Sequence, residues 1–180
     1  MNQLFVNIVG FNASGKTTLA KKLEQDFGFS RVSGDDFREF VFSNIAYFKD
    51  TPLSHQTKKF ADLVPLTMQY RQLLTEILLC ANQNVIFDGS GNTREYRAGY
   101  LDMVKQKFPA VKTIIIETKA PEQELLGRYK KRTDTKKWLQ MYQARKQSFQ
   151  PPTPNEADMV LTYNQENYAE IANKIKSLIG

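Results

Sequence analysis

The sequence predicts an α/β fold, a five-stranded parallel sheet sandwiched by helices, in a single domain spanning residues 1–180. Short apolar runs rich in strand formers recur along the chain, and longer segments with helical spacing lie between them, the alternation of a parallel sheet covered on both faces. The length suits one domain, and 41% apolar residues suffice for its core.

The elements follow in order. LFVNIV (4–9) is too short for a helix and reads as a buried strand. Behind it Leu19, Ala20, Leu23 and Phe27 recur at helical spacing, and FSRVS (29–33) is a weaker second strand. Residues 41–63 mix short helical patches with Thr51-Pro52 and read as a substrate-covering insertion. His55 falls there with no histidine or cysteine partner nearby in sequence, so it reads as a surface residue. A long helix carries the stripe Leu66, Tyr70, Leu73, Leu74, Ile77 and Leu78 and ends near Asn82, with Cys80 in the stripe as a small core residue. NVIFD (84–88), VKTIIIE (111–117) and DMVLTY (158–163) supply the remaining strands, and the Pro-rich QPPTPNEAD (150–158) reads as a loop before the last of them.

Composition excludes several classes. One cysteine cannot form an internal disulfide, and one cysteine with one histidine cannot build a Cys/His metal site. There is no basic region followed by a long apolar run and no apolar window long enough to span a membrane, so a reducing cytoplasm is the expected compartment. The net charge of +6 is concentrated: Arg128, Lys130, Lys131, Arg132, Lys136, Lys137, Arg145 and Lys146 face only Asp134 within their own stretch. Such a block is either the solvated face of two helices or a surface for anions.

Gly10, Gly15, Lys16 and Thr17 match G-x-x-x-x-G-K-[ST], with Asn12, Ala13 and Ser14 inside the loop and Thr18 just after it. The glycines let successive N–H groups converge on phosphates, and the helix that follows adds the positive end of its dipole. In this pattern Lys16 reaches the β and γ phosphates and the Thr17 hydroxyl ligates Mg²⁺. An apolar strand before the loop and an amphipathic helix after it supply the required context. The expected fold is therefore that of the P-loop nucleoside-triphosphate hydrolases, of the nucleotide-kinase-like kind, with ATP and Mg²⁺ as cofactors.

Hydrolysis, switching and transfer share such a loop, so other polar clusters must distinguish them. SGDDFREF (33–40) places Asp35, Asp36 and Arg38 where a helix begins, on the rim of the sheet where ligands bind. Asp35 or Asp36 could be the N-cap of that helix, or one of them could accept the proton of an attacking hydroxyl while Arg38 holds an anionic part of the acceptor. NVIFDGSGNTREYR (84–97) runs a strand into Asp88, placed like the carboxylate that positions Mg²⁺, and then brings Gly89, Gly91, Asn92, Arg94 and Arg97 to a turn and a helix start. A phosphatase nucleophile motif is excluded there, because Ile86 stands two before Asp88. After the fourth strand, Arg128 and Arg132 share one helix face, suiting a lid at 120–146 that covers the transferring phosphate.

GFNASGKT, DDFR, VIFDGSGNTREYR and APEQELLGRYKKR, in that order and at these separations, resemble the P-loop kinases of the polynucleotide 5′-kinase type and their zeta-toxin-like and AAA-type ATP-binding relatives. The resemblance implies Asp35 as general base, Arg38 as acceptor-binding residue and Arg128 as lid arginine, with Arg132 beside it on the nucleotide. Asp36, Asp88, Asn92 and Arg97 are then expected at the acceptor, Asp88 also serving the metal with Thr17. Where the family commonly has Asp-Thr-Asn, this chain has Asp88-Gly89-Ser90-Gly91-Asn92, which displaces the asparagine. The expected activity is transfer of the γ-phosphate of ATP to a hydroxyl, either the 5′-hydroxyl of a single-stranded nucleic acid end or that of a nucleoside, sugar or antibiotic. A nucleotide-dependent switch without an acceptor is the alternative of a different class, and it gives Asp35 no task.

Overall fold

The structure is a computed structural model that describes residues 2–48, 58–89, 91–132 and 134–179. Its centre is a five-stranded sheet of β1 (Leu4–Gly10), β2 (Ser30–Ser33), β3 (Val85–Asp88), β4 (Lys112–Thr118) and β5 (Met159–Tyr163), in the order β2-β3-β1-β4-β5. Every pairing is parallel, with Phe5 opposite Val85 and Thr113. All five expected strands form, the weak second one included. β1 is buried at every position because helices cover both faces.

Alternation along β1 divides the core. Leu4, Val6 and Ile8 pack with Leu19 and Leu23 of α1 (Lys16–Phe27) and with Ile171 and Ile175 of α7 (Tyr168–Ile179). Phe5 and Val9 face the other way, onto Val85, Phe87 and residues Tyr100, Leu101 and Val104 of α4 (Arg94–Lys107). The chain fills one side of β1 with β2 and β3 and crosses to the other with β4 and β5, opening a crevice at the carboxyl ends of the strands.

Two helices close the β2 side, α2 (Gly34–Asn44) and α3 (Lys58–Cys80). Of the expected insertion at 41–63, residues 49–57 with His55 lie outside the described residues; the rest forms the end of α2, a short turn and the start of α3. The long helix is where it was expected, but its inward face is different. Phe60, Leu63, Thr67, Arg71, Thr75 and Leu79 are buried, whereas Leu66, Leu73 and Ile77 are exposed. Cys80, expected in the core, is likewise exposed, since it lies off that inward face.

On the β4 side, α5 (Glu122–Lys130) and α6 (Thr135–Ser148) form a helical pair with its own small core. Leu125, Tyr129 and Tyr142 are buried there against Phe11 of the loop after β1. Among the described residues no helix is long and apolar enough to cross a membrane.

Candidate active site

The loop after β1 takes backbone shapes that its residues were chosen for. Gly10 and Gly15 have φ of 138° and 103°, and a Cβ on Gly10 would lie 2.5 Å from the Thr118 carbonyl oxygen. Ala13 also adopts a positive φ, 61°. Ser14 is buried and its hydroxyl bonds to that of Thr118, so the end of β4 clamps the loop. Gly15 caps α1 without a side-chain bond, leaving the first N–H groups of that helix open to an anion.

Lys16 folds over this cradle, its Nζ donating to the carbonyls of Gly10 (2.9 Å) and Phe11 (2.6 Å). Burial, and then the positive charge of Arg145, lower its pKa to about 8 against the pull of Asp88 and Asp35. Thr17 hydrogen-bonds the Asp88 carboxylate at the end of β3. Burial raises the Asp88 pKa, opposed by Thr17, by Arg31 3.3 Å away and by Lys16. A hydroxyl and a carboxylate side by side are hard oxygen donors suited to a small divalent cation that keeps water and phosphate as its other ligands.

Asp35 and Arg38 sit on the first turns of α2, facing the same cleft. Ser33 caps this helix, its hydroxyl accepting from the Asp36 N–H at 3.2 Å, so neither aspartate is the cap. Asp35 is left with an 86% exposed carboxylate paired to Arg38. Its charge acts on Lys16, Asp88 and Arg145 alike.

Arg128 approaches the loop from α5 and Arg145 from α6, while Arg132, expected on one helix face with Arg128, lies in the turn between them because α5 ends at Lys130. Arg128 donates to the Ala13 carbonyl at 2.5 Å and pairs with Glu124, while Arg132 lies over the Trp138 ring, 4.3 Å from its centroid. Arg145 bonds the Asn12 side-chain oxygen and, being desolvated, has its pKa lowered. Together these groups line a cleft of about 690 Å³ that takes in Asn12, Ala13, Gly15, Lys16, Thr17, Thr18, Asp35, Arg38, Asp88, Arg128 and Arg132 from the sequence-derived set.

Three of the expected residues lie elsewhere. Asp36 turns to Arg31 at the edge of β2. Asn92 gives its backbone carbonyl to the Gln150 N–H and does not line the cleft. Arg97 is fully buried: it makes paired bonds to Glu156 (2.6 and 2.9 Å) and donates to the carbonyls of Gly91 and Gln150, which takes up its guanidinium structurally. Sequence reasoning in turn missed Thr118, Arg31 and Arg71 as site residues and left Arg145 within an undifferentiated basic block. For Arg145 the signal was present in that block; Arg71 was concealed in an apolar stripe.

Comparison with known proteins bears on the family and the fold. Residues 5–152 match a family model described as an AAA domain. No curated protein matches the sequence. Among solved structures the fold is similar to a Chloroflexus aurantiacus j-10-fl protein carrying a provisional kinase assignment, with TM-score 0.72, 16% identity and 98% of each chain covered. It is also similar to Chaetomium thermophilum Kti12 in complex with ADP-AlF3, with TM-score 0.66, 14% identity and coverage of 98% of this chain and 99% of that one. A third is the Mycobacterium tuberculosis APS kinase CysC in complex with AMPPNP and APS, with TM-score 0.62, 18% identity and coverage of 99% and 98%. At such identities the likeness is one of fold, a P-loop, kinase-like α/β architecture.

Proposed function

The chain belongs to the AAA domain family, and on that footing we propose that it is an ATP-dependent kinase whose acceptor is the 5′-hydroxyl of a polynucleotide. The observation that carries the reading is Asp35, an ionisable carboxylate released from capping by Ser33 and held by Arg38 opposite Lys16. A nucleotide switch without an acceptor gives such a base no task, whereas transfer to an alcohol uses one.

In the reaction the acceptor oxygen attacks the γ-phosphorus, its proton passes to Asp35, and the bond from phosphorus to the β-phosphate oxygen breaks to release ADP. The loop N–H groups and Lys16 hold the phosphates, while Arg128 and Arg132 on the α5–α6 lid meet the charge that spreads over the transferring group. Thr17 and Asp88 would hold Mg²⁺ through their oxygens, and the ion would supply further neutralisation of phosphate charge. A second reading, a small-molecule hydroxyl as acceptor, is favoured by the cleft volume of about 690 Å³, a size typical of small-ligand sites, and by the shared fold of APS kinase.

The test is transfer from γ-labelled ATP to a 5′-hydroxyl oligonucleotide, a nucleoside and a neutral sugar. Asp35→Asn keeps shape but accepts no proton, so turnover is expected to fall roughly a hundred- to ten-thousandfold with ATP affinity little changed. Near-normal turnover by this variant would remove the base. Equal labelling of nucleoside and oligonucleotide would remove the polynucleotide assignment alone.

A further inference from the structure

Arg71, in the middle of α3, lines the cleft but has no task in the reaction described so far. It is 6% exposed, its guanidinium carbon lies 3.8 Å from the Phe87 ring centroid, and Nη1 donates to the Tyr96 hydroxyl at 2.8 Å. Nε and Nη2 are buried without a hydrogen-bond partner, and no carboxylate pairs with the side chain among the described residues. Arginine keeps its proton in proteins. The result is a buried positive charge without a counter-charge, strongly unfavourable unless something else supplies one; the Phe87 face offsets only part.

Position indicates what supplies it. Arg71 lines the cleft on the same side as Arg38. A Cβ on Gly34 would fall 3.1 Å from Arg71 Cδ and 3.4 Å from Arg38 Nη1, and one on Gly89 only 2.1 Å from Arg71 Nη2. The side chain is therefore packed against Gly34 at the start of α2 and Gly89 after β3, on a cleft that Asp35 also lines. Lys16 at the phosphate loop, Arg128 on α5, Arg132 in the turn after it and Arg145 on α6 line the part of the cleft next to the phosphate loop. The rotation of α3 makes the same point. Turning Thr67, Arg71 and Thr75 inward while Leu66, Leu73 and Ile77 face outward sacrifices apolar burial, and such local conflicts concentrate at functional sites.

We propose that Arg71 is the anion-recognition residue of the acceptor half of the cleft, and that the acceptor is a phosphate-bearing alcohol whose phosphate docks on Arg71 and Arg38 while its hydroxyl meets Asp35. The identity of the reaction rests on the kinase reading above; the anion site does not. A free nucleotide or sugar phosphate and the first phosphodiester of a nucleic acid end share this chemistry.

Equilibrium binding with ADP present tests the site without turnover. The probes are adenosine with adenosine 3′-monophosphate, ribose with ribose 5-phosphate, and a 5′-hydroxyl tetranucleotide. In at least one pair the phosphorylated member is expected to bind wild type about ten- to a hundredfold tighter, the scale of a charge-assisted bidentate contact. Arg71→Met should abolish that preference and leave ADP affinity intact. Arg71→Lys keeps the charge but not the planar fork, and serves if the methionine variant does not fold; it should weaken only the phosphorylated member, by about five- to tenfold. Given such a preference, tight binding of the tetranucleotide as well identifies a nucleic acid end, and binding of the monophosphates alone a small metabolite; both uphold the anion site. No preference in either pair, or a full preference in the folded Arg71 variants, overturns it. Failure of phosphate transfer with the preference intact counts against the kinase reading and leaves the anion site standing.

Discussion

Ser33 and Asp35 are neighbours with separable tasks. Ser33 satisfies an N–H at the start of α2, and losing such a cap costs about 1 kcal/mol. Ser33→Ala is therefore expected to lower stability by that amount in denaturant titration, without the collapse of turnover expected for Asp35→Asn. Asp35→Asn should show the reverse, because its carboxylate holds no backbone group and is largely exposed. Lys16 differs from both. Among the described residues its amine hydrogen-bonds loop carbonyls and its side chain joins no core cluster, so Lys16→Ala should retain the wild-type circular dichroism spectrum and melting behaviour while abolishing transfer. A Lys16→Ala protein with near-normal turnover would remove the phosphate loop from the mechanism.

At the scale of elements, the α5–α6 pair, the lid of the proposed reaction, has packing of its own. Leu125, Tyr129 and Tyr142 close on Phe11, Tyr129 donates to the Asn12 carbonyl and Arg128 to the Ala13 carbonyl, so the pair rests on the phosphate loop through several contacts. Arg128→Ala removes no core side chain, and its loss is expected to cut turnover by on the order of a thousandfold while ATP affinity changes far less. Unchanged turnover would make this helix a solvated face. The sheet and the loop were readable from sequence because each obeys a local rule: strands buried on both faces are apolar runs, and a phosphate cradle needs fixed glycine and lysine spacing. The face of α3 was not readable, because periodicity assigns Leu66, Leu73 and Ile77 inward while the cleft draws Arg71 and its neighbours there instead. Arg97 misled for another reason. Its partner Glu156 lies 59 residues further along, and no local pattern announces a pair made by the fold.

For the molecule as a whole, that pair ties the start of α4 to the Pro-rich segment before β5. Arg97 is fully buried and Glu156 nearly so, and removing one partner of a buried pair costs about 3–5 kcal/mol. Arg97→Met is expected to lose that much in chemical denaturation. Burial pushes the Glu156 carboxyl upward, but the Arg97 hydrogen bonds and the Thr153 N–H outweigh it and leave the pKa below its ordinary value. With the folded pKa depressed, the stabilisation is complete above the unfolded value of about 4.3 and is lost as pH falls through the folded one. Acid titration should therefore show wild type losing its advantage over Glu156→Gln only below about pH 4.3. The lid also carries a reporter. Trp138, the single tryptophan of the chain, stands on the cleft wall with the Arg132 guanidinium on its ring and Tyr129 stacked parallel at 6.3 Å. In the proposed reaction Arg132 leaves that indole for the triphosphate, so the indole emission is expected to change on mixing with ATP, and stopped-flow fluorescence follows that movement before any acceptor is known.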